Sequence, residues 1–276
     1  MEWSKVKNII ILILVLINGF LLVLVGTRRS EVRRYEQSAL TRSLQVLEEN
    51  GIEADAQALV SRSGTVPAAA ERDTAAEARL AGAILGESVE GDHRGGGLYL
   101  YQSSRGQVSL RSGGEISLIP SDDSFWVAAD PADHAQRLVQ RLGLELEERD
   151  STLSGGSGTV TYRQRWNGAP LFSCQLVLSY ENGRLTALSG TLLAADRAAE
   201  ESVSLLTLPT VLLRFLDEII KSGDVCSSIR AVEAGYRLIP SFSGAMRLSS
   251  VWKVSTNTAD YYLDGVTGEF SRAAEN

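Results

Sequence analysis

Two cysteines and two histidines among 276 residues leave little room for metal or thiol chemistry. A structural zinc site takes four such ligands, and Cys174, Cys226, His93 and His134 do not have that spacing. A disulfide framework is excluded too, although one Cys174–Cys226 bridge stays open. Proline is scarce at 6, so turns must rest on glycine and asparagine. Basic charge is also short: 27 Lys and Arg face 34 Asp and Glu, a net −7. No basic domain gathers phosphates, which argues against sequence-independent nucleic-acid binding. The chain has no G-x-S-x-G elbow, Walker loop, H-E-x-x-H or calcium-loop pattern. What remains is an ordinary globular composition, 44% hydrophobic and 22% charged, which excludes wholesale disorder and fibrous repeats.

One long apolar run is present. Val6–Gly26 covers about 31 Å as a helix at ~1.5 Å per residue, the thickness of a bilayer core. It exceeds the ~7–15 residues of a signal-peptide core, and no small-x-small cleavage site follows it. The run therefore reads as an uncleaved signal anchor. Lys5 and Lys7 precede it, and Arg28, Arg29, Arg33 and Arg34 follow. Counting basic flanks alone would place the large carboxyl part in the cytoplasm, but long domains translocate largely regardless of such charge. Trp3, Lys5 and Lys7 are candidate membrane-interface anchors. Asn18 has two readings: local capture of a backbone group, or, with Gly19 beside it, a contact with a partner's membrane helix.

After the run, Arg33–Asn50 reads as a stalk helix with Leu40, Leu44 and Leu47 at helical spacing. Val60–Ala70 has no clear period. Thr74–Leu85 and Leu208–Lys221 read as helices, as does the segment opened by Asp130-Pro131, where an acid caps and proline takes the first helical position. Gly91–Gly97 reads as a loop. Strand candidates are Leu98–Gln102, Gln107–Arg111, Glu115–Ile119, Thr159–Trp166, Leu171–Tyr180, Arg184–Leu192, Ile229–Ile239, Leu248–Ser255 and Asp260–Leu263. Asn167-Gly168 and Asn182-Gly183 are hairpin turns. Along the middle strand Phe172, Cys174, Leu176, Leu178 and Tyr180 share a face, which makes Cys174 a small core residue. Helices near 74, 131 and 208 are each followed by three strand candidates, an architectural repeat without repeated residues. Ser154–Gly158 is either a linker between subdomains or a long loop; the hairpins starting directly after it favour a boundary.

Isolated polar residues have simpler roles than catalysis. His134 in a first helical turn reads as solvated or capping, and His93 as a loop residue. Asp122-Asp123 and Asp264 read as turn formers.

The opening Met1-Glu2-Trp3-Ser4-Lys5-Val6-Lys7-Asn8-Ile9, running into the apolar segment, resembles the YycI (WalI) family, as does Ile17-Asn18-Gly19-Phe20-Leu21. A looser similarity, shared with PepSY-type domains, covers Tyr162–Phe172, Val251–Val254, Tyr261–Asp264 and Thr267–Glu269. The resemblance implies a non-enzymatic accessory of a YycG (WalK) sensor histidine kinase that acts with a YycH-like partner and so adjusts cell-wall metabolism. It implies a cytoplasmic amino terminus and an extracytoplasmic domain, and no cofactor.

The combined expectation is an α+β protein: residues 1–5 a cytoplasmic tip, 6–26 a transmembrane helix and 27–51 a stalk. A first α+β subdomain would follow over 52–153 and a second, PepSY-like one over 159–276, with antiparallel sheets each packed by a helix. Two other readings stay open: an exported domain that inhibits or chaperones a protease or wall hydrolase, and a membrane-anchored enzyme of unrecognised type.

Overall fold

The first element, α1, runs from Trp3 to Glu49 as one unbroken helix, about 70 Å long at ~1.5 Å per residue. The computed structural model describes residues 3–54, 59, 64–121, 124–127, 130–195, 198–240 and 246–273; of residues 3–10, 12 and 22–33 only the backbone is described. Counted over the described residues, no helix is long and apolar enough to cross a membrane. The span expected over Val6–Gly26 therefore rests on the sequence. At its other end α1 stops where expected, with the Asn50 and Gly51 amides bonding back to the Leu47 and Glu48 carbonyls at 3.0 and 2.9 Å.

Two short strands follow, β1 (Glu53–Ala54) and β2 (Ala68–Ala70). The chain then repeats one plan three times, a helix followed by an antiparallel meander. The first unit is α2 (Thr74–Leu85), β3 (Gly91–Gly95), β4 (Leu98–Ser103), β5 (Gly106–Arg111) and β6 (Glu115–Pro120). The second is α3 (Pro131–Leu142), β7 (Leu146–Ser151), β8 (Gly158–Trp166), β9 (Ala169–Glu181) and β10 (Arg184–Thr191). After the short β11 (Ala199–Glu200) comes the third: α4 (Leu208–Ser222), β12 (Ser228–Pro240), β13 (Met246–Thr256), β14 (Asp260–Asp264) and β15 (Phe270–Arg272).

Each helix starts and stops for local reasons. The Asp73 carboxylate accepts from the Ala76 amide at 2.9 Å, and that of Asp130 from Ala132 at 3.2 Å, each satisfying an amide that the first turn leaves unpaired. The Asn167-Gly168 and Asn182-Gly183 hairpins place both residues at positive φ (49° and 74°, 50° and 75°), the left-handed pair that a two-residue turn needs to match strand twist.

The repeat carries four strands per helix in place of three. The strands of these units that sequence patterning omits, β3, β7 and β15, each lie at one end of their meander and at a sheet edge. All five residues of β3 and four of six in β7 are exposed. Neither shows the alternation that a half-buried strand imposes, so Gly91–Gly97 read as a loop.

The expected boundary at Ser154–Gly158 is different in the structure. β7 and β8 pair antiparallel from Leu146↔Gln164 to Ser151↔Val160. Ser154 and Ser157 exchange backbone bonds of 2.8 and 3.1 Å across the tip. The glycine-rich stretch is a hairpin turn inside one unit. β10 pairs with β6 as well as β9, so the first two units form one sheet, with α2 and α3 over a shared core that includes Leu85, Val108, Leu138, Leu176 and Leu188.

A second core gathers Leu47 of α1, Val211 and Phe215 of α4, and Val232, Trp252 and Tyr261 of the third meander. The join between the two cores is a parallel pairing of β12 with β9 at Tyr236↔Leu171. β9 is 13 residues long, and β10 covers only the part from Leu176 onward. Its free amino-terminal edge receives β12. A third cluster, including Leu171, Cys174, Tyr236 and Leu248, fills the seam.

Candidate functional site

The carboxyl part of α1 meets the fold through Leu40, Leu44 and Leu47, which pack into the second core; Leu47 is fully buried. Against it lies α4, whose buried stripe is Val211, Leu212, Phe215, Leu216 and Ile219. The spacing that makes α4 amphipathic also turns Leu213 outward, 43% exposed. The residues of α1 that face the space beside α4 run from Arg34 to Val46, and those of α4 from Pro209 to Leu213. An open groove of about 660 Å³ lies between the two helices, with Arg34, Tyr35, Ala39 and Arg42 on one wall and Thr210 and Leu213 on the other. Tyr35 is 78% exposed.

The serine and threonine hydroxyls around this groove are already bonded. Ser38 donates to the Arg34 carbonyl at 2.9 Å and Ser43 to Leu40 at 2.8 Å. Thr207 and Thr210 share a bond of 3.0 Å. Besides the exposed Tyr35 hydroxyl, the open polar groups are the exposed guanidiniums of Arg34 and Arg42, and no carboxylate is among the described lining residues.

The predicted membrane residues are placed only in part. Asn18 Nδ2 donates to the Leu14 carbonyl, one turn back, at 2.9 Å, which is the local-capture geometry. Asn18 and Gly19 are exposed, and nothing lies within 4 Å of where a Gly19 Cβ would stand. The side chains of Trp3, Lys5 and Lys7 lie outside the described residues, as do Asp122 and Asp123.

Elsewhere, reactive groups are tied into structure. Cys174 is buried in the seam, and burial pushes its thiol up to about 12. Cys226 sits apart against the second core, and both thiols are free. A thiol so raised is a poor nucleophile. Asp264 accepts from the Val266 and Thr267 amides at 2.9 and 2.7 Å. Burial pushes its carboxyl up, but these bonds outweigh it and hold the group below the usual range. His93 packs against Tyr99 with ring centroids 4.8 Å apart and planes tilted by 39°. His134 is half-buried, and its Nδ1 bonds the buried Tyr180 hydroxyl at 2.9 Å in place of a capping contact. Burial lowers its pKa, assisted by Arg141, Arg137 and Arg105.

The seam holds an arrangement that sequence reasoning missed. Arg163 is 4% exposed, and its Nε and Nη2 bond one Glu147 oxygen at 3.0 and 2.6 Å. Arg165 bonds the other oxygen at 2.6 Å. Burial raises the Glu147 carboxyl, but the two guanidiniums outweigh it and hold the pKa low. Arg163 lies over the Phe172 ring at 5.5 Å, Phe172 touches Tyr262 with centroids 5.6 Å apart, and Arg237 covers Tyr262 at 5.2 Å. This ladder of cations and rings links β8, β9, β12 and β14. Alternation puts Arg163 on the polar face of β8, opposite the core residues Val160 and Tyr162, so no sequence signal marked it for burial.

No known protein family matches the chain, and no curated protein matches it. Solved structures do. An uncharacterized protein from Eubacterium rectale is similar over 81% of this chain and 90% of its own, at 12% identity and a TM-score of 0.44. The Bacillus megaterium YpeB C-terminal domain is similar over 75% and 99%, at 9% identity and 0.35. Likeness at these scores is loose and assigns no activity.

Proposed function

We propose that the chain is a membrane-anchored, non-enzymatic regulator of a YycG/WalK-type sensor histidine kinase that adjusts cell-wall metabolism together with a YycH-like partner. Its amino terminus is cytoplasmic and its folded part extracytoplasmic, tethered by residues 6–26. Besides the resemblance of the first 25 residues to YycI, one observation carries the reading. α1 continues without a break from the apolar segment to Leu47 in the second core. A displacement or rotation of the membrane portion is then transmitted to the fold, and the reverse. Such a lever biases a kinase only by contacting its two states differently, since equal affinity shifts nothing. Asn18 and Gly19 are the proposed contact in the membrane, worth on the order of 0.6 kcal/mol per interhelical hydrogen bond.

The test exchanges residues 6–26 for an unrelated spanning sequence of equal length and measures kinase-dependent reporter output under wall stress. The expected result is loss of regulation with membrane localisation and ectodomain folding retained. Intact regulation overturns the proposal. A carboxyl-terminal alkaline phosphatase fusion reads the orientation in the same strain, and activity is expected.

A further inference from the structure

We propose that the groove between α1 and α4 docks an acidic, amphipathic helix of a partner protein. The first argument is shape. An open trough runs beside two neighbouring helices, lined from Arg34 to Val46 on one and from Pro209 to Leu213 on the other, and a third helix packs into such a trough along its ridges, with axes ~8–10 Å apart. The second is the apolar surface left uncovered there: Tyr35 and Leu213 are exposed on opposite walls, with the small Ala39 one turn from Tyr35 on the same helix. The third is charge. The chain is net −7, yet among the described residues this groove is lined by two arginines and no acid. Arg34 and Arg42 are eight residues apart on one helix, so they share a face about 12 Å apart at ~1.5 Å per residue. Carboxylates spaced seven or eight residues apart on a facing helix match that separation.

A second copy of the chain fits poorly. A two-fold contact sets the same patch against itself, which brings arginine towards arginine. The inference takes from the proposed function only the source of the occupant, a neighbour anchored in the same membrane. The groove chemistry stands independently of any kinase.

The experiment uses the full-length chain in phosphatidylcholine nanodiscs. The probe is a labelled helical peptide with a Leu/Ala stripe flanked by two glutamates eight residues apart, compared with its twin carrying lysines instead. The wild-type chain is expected to bind the glutamate peptide at least about tenfold more tightly. The double variant R34E/R42E is expected to reverse that order, and Ala39→Trp, which fills the trough, to lose both peptides with an unchanged unfolding midpoint. Equal binding of the two peptides, or a preference that survives the charge reversal, overturns the proposal. So does sedimentation showing a wild-type dimer that R34E/R42E dissolves, or displacement of the peptide by phosphatidylglycerol in the disc. Peptide discrimination with no effect on kinase output would refute the proposed function and leave the docking site standing.

Discussion

Burying a polar side chain commits it to a partner, and the two residues where this matters most here are Arg163 and His134. Arg163 is enclosed by Glu147 and the Phe172 ring, a setting in which removal of one partner costs far more than the pair contributes net. His134 has a different consequence. Its folded pKa lies below the ordinary 6.5, first through burial and then through Arg141, Arg137 and Arg105. The unfolded chain therefore binds a proton more readily than the folded one as pH falls below 6.5. The stability associated with neutral His134 is complete above that pH and declines as pH drops towards the lowered value. Urea midpoints of the protein measured from pH 7.5 to pH 5 should fall, and His134→Gln should flatten that fall. An identical slope in both proteins would show that other groups set it.

Helices in this protein serve two surfaces at once. α4 buries Val211, Phe215 and Ile219 in the second core while offering Leu213 to solvent. α1 buries Leu47 while leaving Tyr35 exposed. The two classes separate by mutation. Leu47→Ala removes a fully enclosed side chain and should destabilise by ~2–5 kcal/mol, because neighbours relax only partly into the cavity. Leu213→Ala removes an exposed one and should stay within about 0.5 kcal/mol. Equilibrium denaturation of both variants checks this. If Leu47→Ala proved silent, α1 would not be mechanically joined to the fold, and the lever argument would fail with it.

Across the whole molecule, two cores are joined by one parallel strand contact and the seam beneath it. That contact depends on Gly235. A Cβ there would lie 2.5 Å from the Pro170 carbonyl oxygen and 2.6 Å from the Phe172 ring, and that oxygen belongs to backbone already paired with β8 at Arg165. Gly235→Ala should destabilise by roughly 1–3 kcal/mol, as overpacking does. It should also raise amide exchange at the β9–β12 join before exchange rises in either core. Uniform exchange throughout would mean that the cores unfold as one body with or without the join.

Much of this architecture was legible in the sequence. α2, α3, α4 and the Asn-Gly hairpins follow from capping, periodicity and turn chemistry, each written within a dozen neighbouring residues. Burial of Cys174 followed from alternation along a single strand. The strands β3 and β7 were not legible, because edge strands exposed on both faces carry no hydrophobic pattern. The Ser154–Gly158 boundary misled for a related reason: glycine and serine specify a flexible or tightly turned backbone, and only the partner strand distinguishes the two.

The sequence by itself therefore determined the local elements, the faces they bury and the apolar run at the amino terminus. The parallel join of β9 with β12, the Arg163–Phe172–Tyr262–Arg237 ladder and the arginine-lined groove were decided only by the tertiary structure. Their residues lie tens to nearly two hundred positions apart. No local propensity encodes which of them meet; that is set when the cores close and each buried charge must find a partner.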